Sequence, residues 1–94
     1  MSNFLNELDA LLTKRKLSKT PNSYTSTLFE SGLDRILKKI GEEAGEVIIA
    51  AKNKDSVELK NEAADLLFHL MLVLKEQGLT IQEVIDVLES RHNK

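Results

Sequence analysis

Residues 63–74 read Ala-Ala-Asp-Leu-Leu-Phe-His-Leu-Met-Leu-Val-Leu, in which Asp65 and His69 are the only polar side chains. A helix over this stretch would be apolar on every side, which is typical of a buried helix. A chain of 94 residues can hardly cover one helix all round, so the pattern predicts that a second copy covers part of it. We therefore expect an all-α protein, an antiparallel helical bundle whose four-helix core is completed by dimerisation into a homodimer.

The composition of the chain fits one helical domain, which we expect to span residues 1–94. Hydrophobic residues make up 41% and charged residues 30%, which excludes wholesale disorder, and one Pro with 4% aromatic residues argues against a β-sandwich. The net charge of −2 gives no general attraction for nucleic acid or an anionic membrane. The absence of Cys excludes thiolate zinc sites and thiol nucleophiles. With neither a signal peptide nor a membrane-spanning stretch, we expect a cytoplasmic protein.

Capping signals divide the chain into five helical segments. We expect helices over residues 3–16, 23–31, 33–53 and 55–77 and from residue 80 onward, with a loop over residues 17–22. The start signals are Ser2, Ser31 with Asp34, Asp55 with Glu58, and Thr80 with Glu83. Gly78 supplies a left-handed residue after the fourth helix.

Two acidic sets lie on the two longest predicted helices. Residues 41–46 read Gly-Glu-Glu-Ala-Gly-Glu and contain Glu42, Glu43 and Glu46, while Glu62 and Asp65 share one face of the following helix. The short connection makes the helices antiparallel neighbours, and both sets fall at nearly the same height. An acidic triplet can be an ordinary solvated helix face, but two facing sets predict a bound cation. Oxygen ligands alone favour Mg²⁺, with Mn²⁺ as a substitute, and Mg²⁺ commonly takes further ligands from substrate phosphates.

His69 and two glycines near the acidic sets each have two interpretations. His69 is either a hydrogen-bonded core residue, which we favour, or part of the acidic sector. Gly41 and Gly45 weaken the helix by about 1 kcal/mol each, so they either allow close helix approach or serve the site.

Cationic and hydroxyl side chains complete the candidate site. Lys39 lies one turn before the acidic triplet and can neutralise a carboxylate or contact a phosphate. The hydroxyls at the start of the second segment can cap the helix or bind an anion. We assign phosphate and ribose contacts to six residues: Ser23, Tyr24, Thr25, Lys39, Lys52 and Asn53.

Four strings in these segments resemble the phosphoribosyl-ATP pyrophosphohydrolase family, which belongs to the all-α MazG-like nucleotide pyrophosphohydrolase superfamily. They are Ser-Tyr-Thr-Ser-x-Leu-Phe-Glu-x-Gly at 23–32, Lys-Lys-Ile-Gly-Glu-Glu-Ala-x-Glu at 38–46, Ala-Ala-Lys-Asn at 50–53, and Glu-Ala-Ala-Asp-Leu-x-x-His at 62–69. The acidic pattern Glu-Glu-x-x-Glu followed by Glu-x-x-Asp is shared by the superfamily. The strings Ser-Tyr-Thr-Ser, Lys-Lys-x-Gly-Glu-Glu-Ala and Ala-Ala-Lys-Asn together are more specific to this family. The resemblance covers the chain from Leu5 to about Arg91.

The resemblance implies Mg²⁺-dependent hydrolysis of phosphoribosyl-ATP to phosphoribosyl-AMP and pyrophosphate, in histidine biosynthesis. It implies Glu43, Glu46, Glu62 and Asp65 as metal ligands, with Glu42 as a further ligand or a carboxylate that orients water. With no cysteine for the zinc-dependent cyclohydrolase that is fused to this activity in some organisms, we expect the stand-alone form.

The chemistry fits direct attack by water, because no Ser or Cys lies beside a base as a nucleophile would need. Glu42 or Glu46 could accept the proton, and the sequence does not decide between them. Two other functions remain open: a house-cleaning nucleoside triphosphate pyrophosphohydrolase of the same superfamily, and a non-catalytic helical dimerisation module with an acidic face.

Overall fold

A computed structural model describes residues 4–18 and 23–93, and within these ranges the chain folds into five α-helices with no strand. The helices are α1 (Phe4–Leu17), α2 (Tyr24–Ser31), α3 (Leu33–Lys52), α4 (Ser56–Glu76) and α5 (Ile81–His92). The predicted all-α class is confirmed, and the helix limits agree to within about one residue. The cap predicted at Ser2, the helix start at Asn3 and most of the predicted loop lie outside the described residues.

Two of the predicted helix starts are confirmed in detail. The Asp55 side chain accepts a hydrogen bond from the Glu58 backbone N–H at 3.1 Å and begins α4. Thr80 and Glu83 form a capping box at the start of α5, with bonds of 2.8 and 3.2 Å. Gly78, with φ of 74°, follows the end of α4 in the left-handed conformation, as predicted.

The capping box predicted from Ser31 and Asp34 is wrong. Gly32, with φ of 96°, is the N-cap of α3, and no side chain bonds to the cap. Ser31 is the last residue of α2, so its hydroxyl donates back to the Leu28 carbonyl oxygen at 2.7 Å. A residue that is still helical cannot adopt the extended backbone that an N-cap requires.

The hydrophobic core lies at one end of the α3–α4 pair. These two helices are antiparallel and share the most extensive helix contact, while α1 and α2 pack beside them and α5 packs on α1. Every helix contributes to the buried cluster, which consists of Leu12, Leu28, Ile36, Met71, Leu72 and Ile81. Ile36 lies near the start of α3, whereas Met71 and Leu72 lie near the end of α4. The opposite end, around the turn at Lys54, therefore extends away from the core.

A largely buried ion pair links three helices. Asp9 of α1 lies 2.8 Å from the Lys75 ammonium of α4, and its other oxygen accepts a hydrogen bond from the Ile81 backbone N–H at 3.2 Å. Asp9 thereby satisfies an N–H at the start of α5, which has no partner within its own helix. The local sequence around Asp9 does not indicate this role.

The apolar helix around residues 63–74 is covered on only part of its surface. Met71, Leu72 and His69 are buried, but Leu67 and Leu70 are exposed. Exposed apolar side chains also lie near the turn of the α3–α4 hairpin, the antiparallel pair formed by these two helices. Ile48 is 69% exposed there, and Val57 67%. The single chain thus leaves open the surface that a second copy would cover, and the homodimer stays a prediction. Over the ranges described, none of the helices has the length and apolar character needed to cross a membrane.

Candidate metal centre

Three carboxylates meet between α3 and α4. Glu43, Glu62 and Asp65 each offer one oxygen, and the three oxygens lie within 4.8 Å of one another. The antiparallel packing of the two helices places these residues at the same height, as the sequence predicted. We call these three residues the carboxylate cluster.

A buried oxygen in the cluster lacks a protein partner. Among the residues that the structure describes, Oε1 of Glu62 is buried and has no hydrogen-bond partner. A buried acceptor without a partner is costly, and a cation between the three side chains would satisfy it. An all-oxygen, carboxylate-rich donor set is what hard cations such as Mg²⁺ and Mn²⁺ prefer. The residues present therefore fit a divalent cation.

In the absence of a cation, the Glu62 carboxyl binds its proton more tightly than an ordinary glutamate does. A hydrogen bond to Glu46, burial, and a hydrogen bond to Glu58 raise the pKa of the Glu62 carboxyl to about 7. The hydrogen bonds raise the pKa because a protonated Glu62 donates to a neighbouring carboxylate, whereas two ionised groups would repel. A cation that takes Glu62 as a ligand must displace this proton.

This raised pKa predicts how the stability of the metal-free protein depends on pH. The folded state holds the Glu62 proton up to about pH 7, whereas the unfolded chain releases it near 4.5. Protonation therefore stabilises the fold below pH 4.5, and this contribution is lost as the pH rises to about 7. We expect the free energy of unfolding of the wild type to fall relative to that of Glu62→Gln as the pH rises from 4.5 to 7. Urea unfolding in EDTA measures both. A stability difference that is constant from pH 4.5 to 7 would contradict the assignment.

Glu46 lies next to the carboxylate cluster and not inside it. With Glu58, Glu62 and Asn53 it lines a cavity of about 180 Å³ near the α3–α4 turn. Glu58 was expected only to cap α4. Its backbone N–H serves that cap, and its side chain lines the same cavity as Glu62, within hydrogen-bond reach of it. The spacing of four residues between Glu58 and Glu62 could have indicated this contact, because side chains four apart on a helix are neighbours.

Glu42 faces a different part of the surface. It lines a cleft of about 190 Å³ together with three cationic residues, Arg35, Lys38 and Lys39. Adjacent residues on a helix point about 100° apart, so Glu42 and Glu43 cannot both face the same point. The cleft places Lys39 among other cations, one turn before Glu43. Of its three cationic residues, only Lys39 was predicted from the sequence to belong to the site.

The remaining predicted substrate residues are spread over two regions. The Ser23 hydroxyl caps α2 by accepting from the Ser26 N–H at 3.2 Å, so the capping interpretation is confirmed there. Tyr24 is exposed and Thr25 half-buried on the same helix, which packs against α1 and α3. Lys52 is exposed at the end of α3. The structure thus brings Asn53 beside Glu46, but no contact places α2 at the cluster.

His69 and the two glycines have clear surroundings. His69 is buried, and its Nδ1 lies 2.8 Å from the Asp65 carbonyl oxygen and 2.9 Å from Glu43 Oε1. It is therefore a hydrogen-bonded core residue, as favoured, and it also lies against the acidic sector. A Cβ added at Gly41 or Gly45 would meet open space. Close packing of α3 against α4 therefore does not explain these glycines in the single chain.

The helices and the cluster define an all-α protein with a carboxylate site suited to a divalent cation. Residues 5–92 match the family model described as Phosphoribosyl-ATP pyrophosphohydrolase. The chain belongs to the phosphoribosyl-ATP pyrophosphohydrolase family, as the resemblance in its sequence indicated.

Individual relatives agree with this membership. The chain is 54% identical over 90 residues to the phosphoribosyl-ATP pyrophosphatase of Leptospira biflexa, an alignment that covers 96% of this chain and 98% of that protein. It is 56% identical over 81 residues to the phosphoribosyl-ATP pyrophosphatase of Streptococcus sanguinis, covering 86% of this chain and 78% of that protein. It is also 53% identical over 90 residues to the histidine biosynthesis bifunctional protein HisIE of Bacillus subtilis, covering 96% of this chain. The alignment spans 43% of that bifunctional protein's length, and 40% of its counterpart in Halalkalibacterium halodurans.

Proposed function

We propose that this chain hydrolyses phosphoribosyl-ATP to phosphoribosyl-AMP and pyrophosphate with Mg²⁺, as a single catalytic domain acting in histidine biosynthesis. The observation that carries the proposal is the carboxylate cluster of Glu43, Glu62 and Asp65, which lies in a chain matched by the family over residues 5–92. The named activity of relatives more than 50% identical supports the same substrate.

The carboxylates divide into two groups by position. Glu43, Glu62 and Asp65 would hold the cation, and Glu46 lies against Glu62 at the edge of the cluster. Mg²⁺ bound there would supply positive charge to the phosphate oxygens and the pyrophosphate leaving group. In the reaction, a water oxygen bonds to phosphorus, the bridge between the α- and β-phosphates breaks, and a carboxylate accepts the proton. We assign this proton to Glu46 in preference to Glu42, which faces the cationic cleft.

The cationic cleft is suited to the second anionic group of the substrate. Phosphoribosyl-ATP carries a 5′-phosphate besides its triphosphate, and the acidic cluster cannot bind both. Arg35, Lys38 and Lys39 form a concentration of positive charge one to two turns along α3 from Glu43. We therefore place the 5′-phosphate in this cleft, with Asn53 as a polar contact at the opposite end of the site.

Replacing Lys39 tests this placement. We expect Lys39→Met to raise KM for phosphoribosyl-ATP about 10-fold or more, because a charge-assisted bond to phosphate contributes about 1.5–3 kcal/mol. Steady-state kinetics at saturating Mg²⁺ would measure the change. Lys14→Met, which removes an exposed cation from α1, is the matched control and should leave KM unchanged. An unchanged KM for Lys39→Met would show that Lys39 is an ordinary solvated residue that does not contact the substrate.

The assembly that we propose is a homodimer. The exposed apolar residues of the α3–α4 pair, Ile48, Ile49, Val57, Leu67 and Leu70, offer the surface for it. Exposed apolar groups of this extent on a small chain mark interaction sites. We expect light scattering at micromolar concentration to give twice the 10.6 kDa of one chain. A folded monomer would refute the dimer.

A pyrophosphate-release assay tests the proposed activity directly. The purified chain is incubated with phosphoribosyl-ATP and Mg²⁺, and ATP and other nucleoside triphosphates serve as matched substrates. We expect release from phosphoribosyl-ATP that stops in EDTA. Equal turnover of ordinary triphosphates would favour a house-cleaning enzyme, and no release with any nucleotide would favour the non-catalytic module.

A further inference from the structure

The imidazole of His69 bridges the two helices that carry the carboxylate cluster. His69 is 4% exposed and lies on α4 one turn after Asp65. Its Nδ1 is 2.8 Å from the Asp65 carbonyl oxygen and 2.9 Å from Oε1 of Glu43 on α3. A carbonyl oxygen can only accept a hydrogen bond, so the hydrogen of the ring lies on Nδ1. The same N–H therefore lies within hydrogen-bond distance of both oxygens.

The other nitrogen of the ring lies in an apolar setting. Within residues 4–18 and 23–93, Nε2 is buried and has no hydrogen-bond partner, and the ring meets Phe68 edge to face with centroids 5.4 Å apart. Leaving a buried polar atom without a partner costs free energy, so a histidine is a poor choice for filling apolar space. Its Nδ1–H bond to a carboxylate is what a leucine of similar size could not supply.

We infer that His69 is a positioning residue, whose Nδ1–H donates to Glu43 and holds its carboxylate where it meets Glu62 and Asp65. The inference rests on the proposed metal-dependent function, because Glu43 is positioned for a cation. Without this bond, the Glu43 side chain can rotate away from two neighbouring carboxylates that repel it. Partners that orient ligands in this way commonly change metal affinity 10–100-fold when they are removed.

Two substitutions at this position separate positioning from packing. His69→Leu fills the space and removes the donor, whereas His69→Asn places an amide N–H near the former Nδ1. We expect His69→Leu to weaken Mn²⁺ binding to the substrate-free protein about 10-fold or more, measured by electron paramagnetic resonance. We expect His69→Asn to remain close to the wild-type affinity. A packing role predicts the reverse order, because leucine suits an apolar site better than asparagine.

Kinetic and stability measurements complete the test. At limiting Mg²⁺, His69→Leu should lower the rate of pyrophosphate release, and added Mg²⁺ should restore much of it, while thermal unfolding in EDTA shows that the variant is folded. A folded His69→Leu protein with wild-type Mn²⁺ affinity overturns the inference. If His69→Leu does not fold, His69→Met replaces it, because a thioether has no hydrogen to donate, and wild-type affinity in that variant overturns the inference equally.

The Mn²⁺ measurement also keeps the two proposals apart. A wild type that binds Mn²⁺ but releases no pyrophosphate from phosphoribosyl-ATP would refute the proposed activity and leave the affinity order of the His69 variants to decide the positioning role. A wild type that binds no Mn²⁺ would overturn the positioning role, since Glu43 would then have no cation to coordinate.

Discussion

The Asp65→Asn variant is expected to lose at least about 100-fold in kcat/KM for phosphoribosyl-ATP, with a parallel loss of Mn²⁺ affinity. Asp65 supplies one of the three oxygens that lie within 4.8 Å of one another, and an amide oxygen carries no net charge to hold the cation. The same change should leave the stability of the metal-free protein unchanged or raise it, because it relieves repulsion between carboxylates. Pyrophosphate release, Mn²⁺ titration and urea unfolding in EDTA measure the three quantities.

A second carboxylate serves as the matched control for this result. Glu89→Gln makes the same change of charge at an exposed position on α5, away from the hairpin, and should leave activity and Mn²⁺ affinity unaltered. Glu43→Gln should behave as Asp65→Asn does. Near wild-type turnover in either cluster variant would show that the residue is not a ligand.

The Asp9→Ala variant is expected to be destabilised by about 3 kcal/mol or more. Removing this side chain leaves the Lys75 ammonium, on a side chain that is 11% exposed, without its partner at 2.8 Å, and the Ile81 N–H without an acceptor. A loss of that size is a large part of the roughly 5–15 kcal/mol that holds a small domain folded. Urea unfolding in EDTA measures it independently of the metal centre.

A double-mutant cycle separates the contributions of this ion pair. Lys75→Met removes the charge and keeps the apolar stem, so Asp9→Ala combined with Lys75→Met should cost clearly less than the sum of the single changes. Asp9→Asn should be milder than Asp9→Ala, because an amide oxygen can still accept from Ile81. Additive losses would mean that the two side chains do not stabilise each other.

Much of the fold could be predicted because its signals are local. The caps at Asp55 and Thr80 and the glycine at position 78 act within a few residues of themselves, and each was confirmed. The capping box at Ser31 failed because α2 extends through that residue, which depends on how α2 packs. The role of Asp9 could not be predicted, since its partners are more than 60 residues away in sequence and meet it only after the helices pack.

The carboxylate cluster could be predicted from the sequence, whereas the positions of the surrounding carboxylates could not. Helical spacing and the short turn were enough to bring Glu43 opposite Glu62 and Asp65. The same arithmetic could not separate Glu42 from Glu46, because the direction of each side chain depends on the rotation of α3 against α4. The structure turns Glu42 toward a cationic cleft and Glu46 toward Glu62, and it adds Glu58, whose side chain the sequence had left with no role beyond capping.

The core residues Met71 and Ile36 lie at one end of the α3–α4 pair, so the other end has little buried apolar surface to resist local opening. Opening there costs less free energy than unfolding the whole chain, because the core remains packed. The carboxylate cluster stands between these two regions, and anything that binds across it also stabilises the closed form of the turn end. Occupancy of the site would therefore set how much of the protein has an ordered turn end, while the packed core determines how much of the rest is folded.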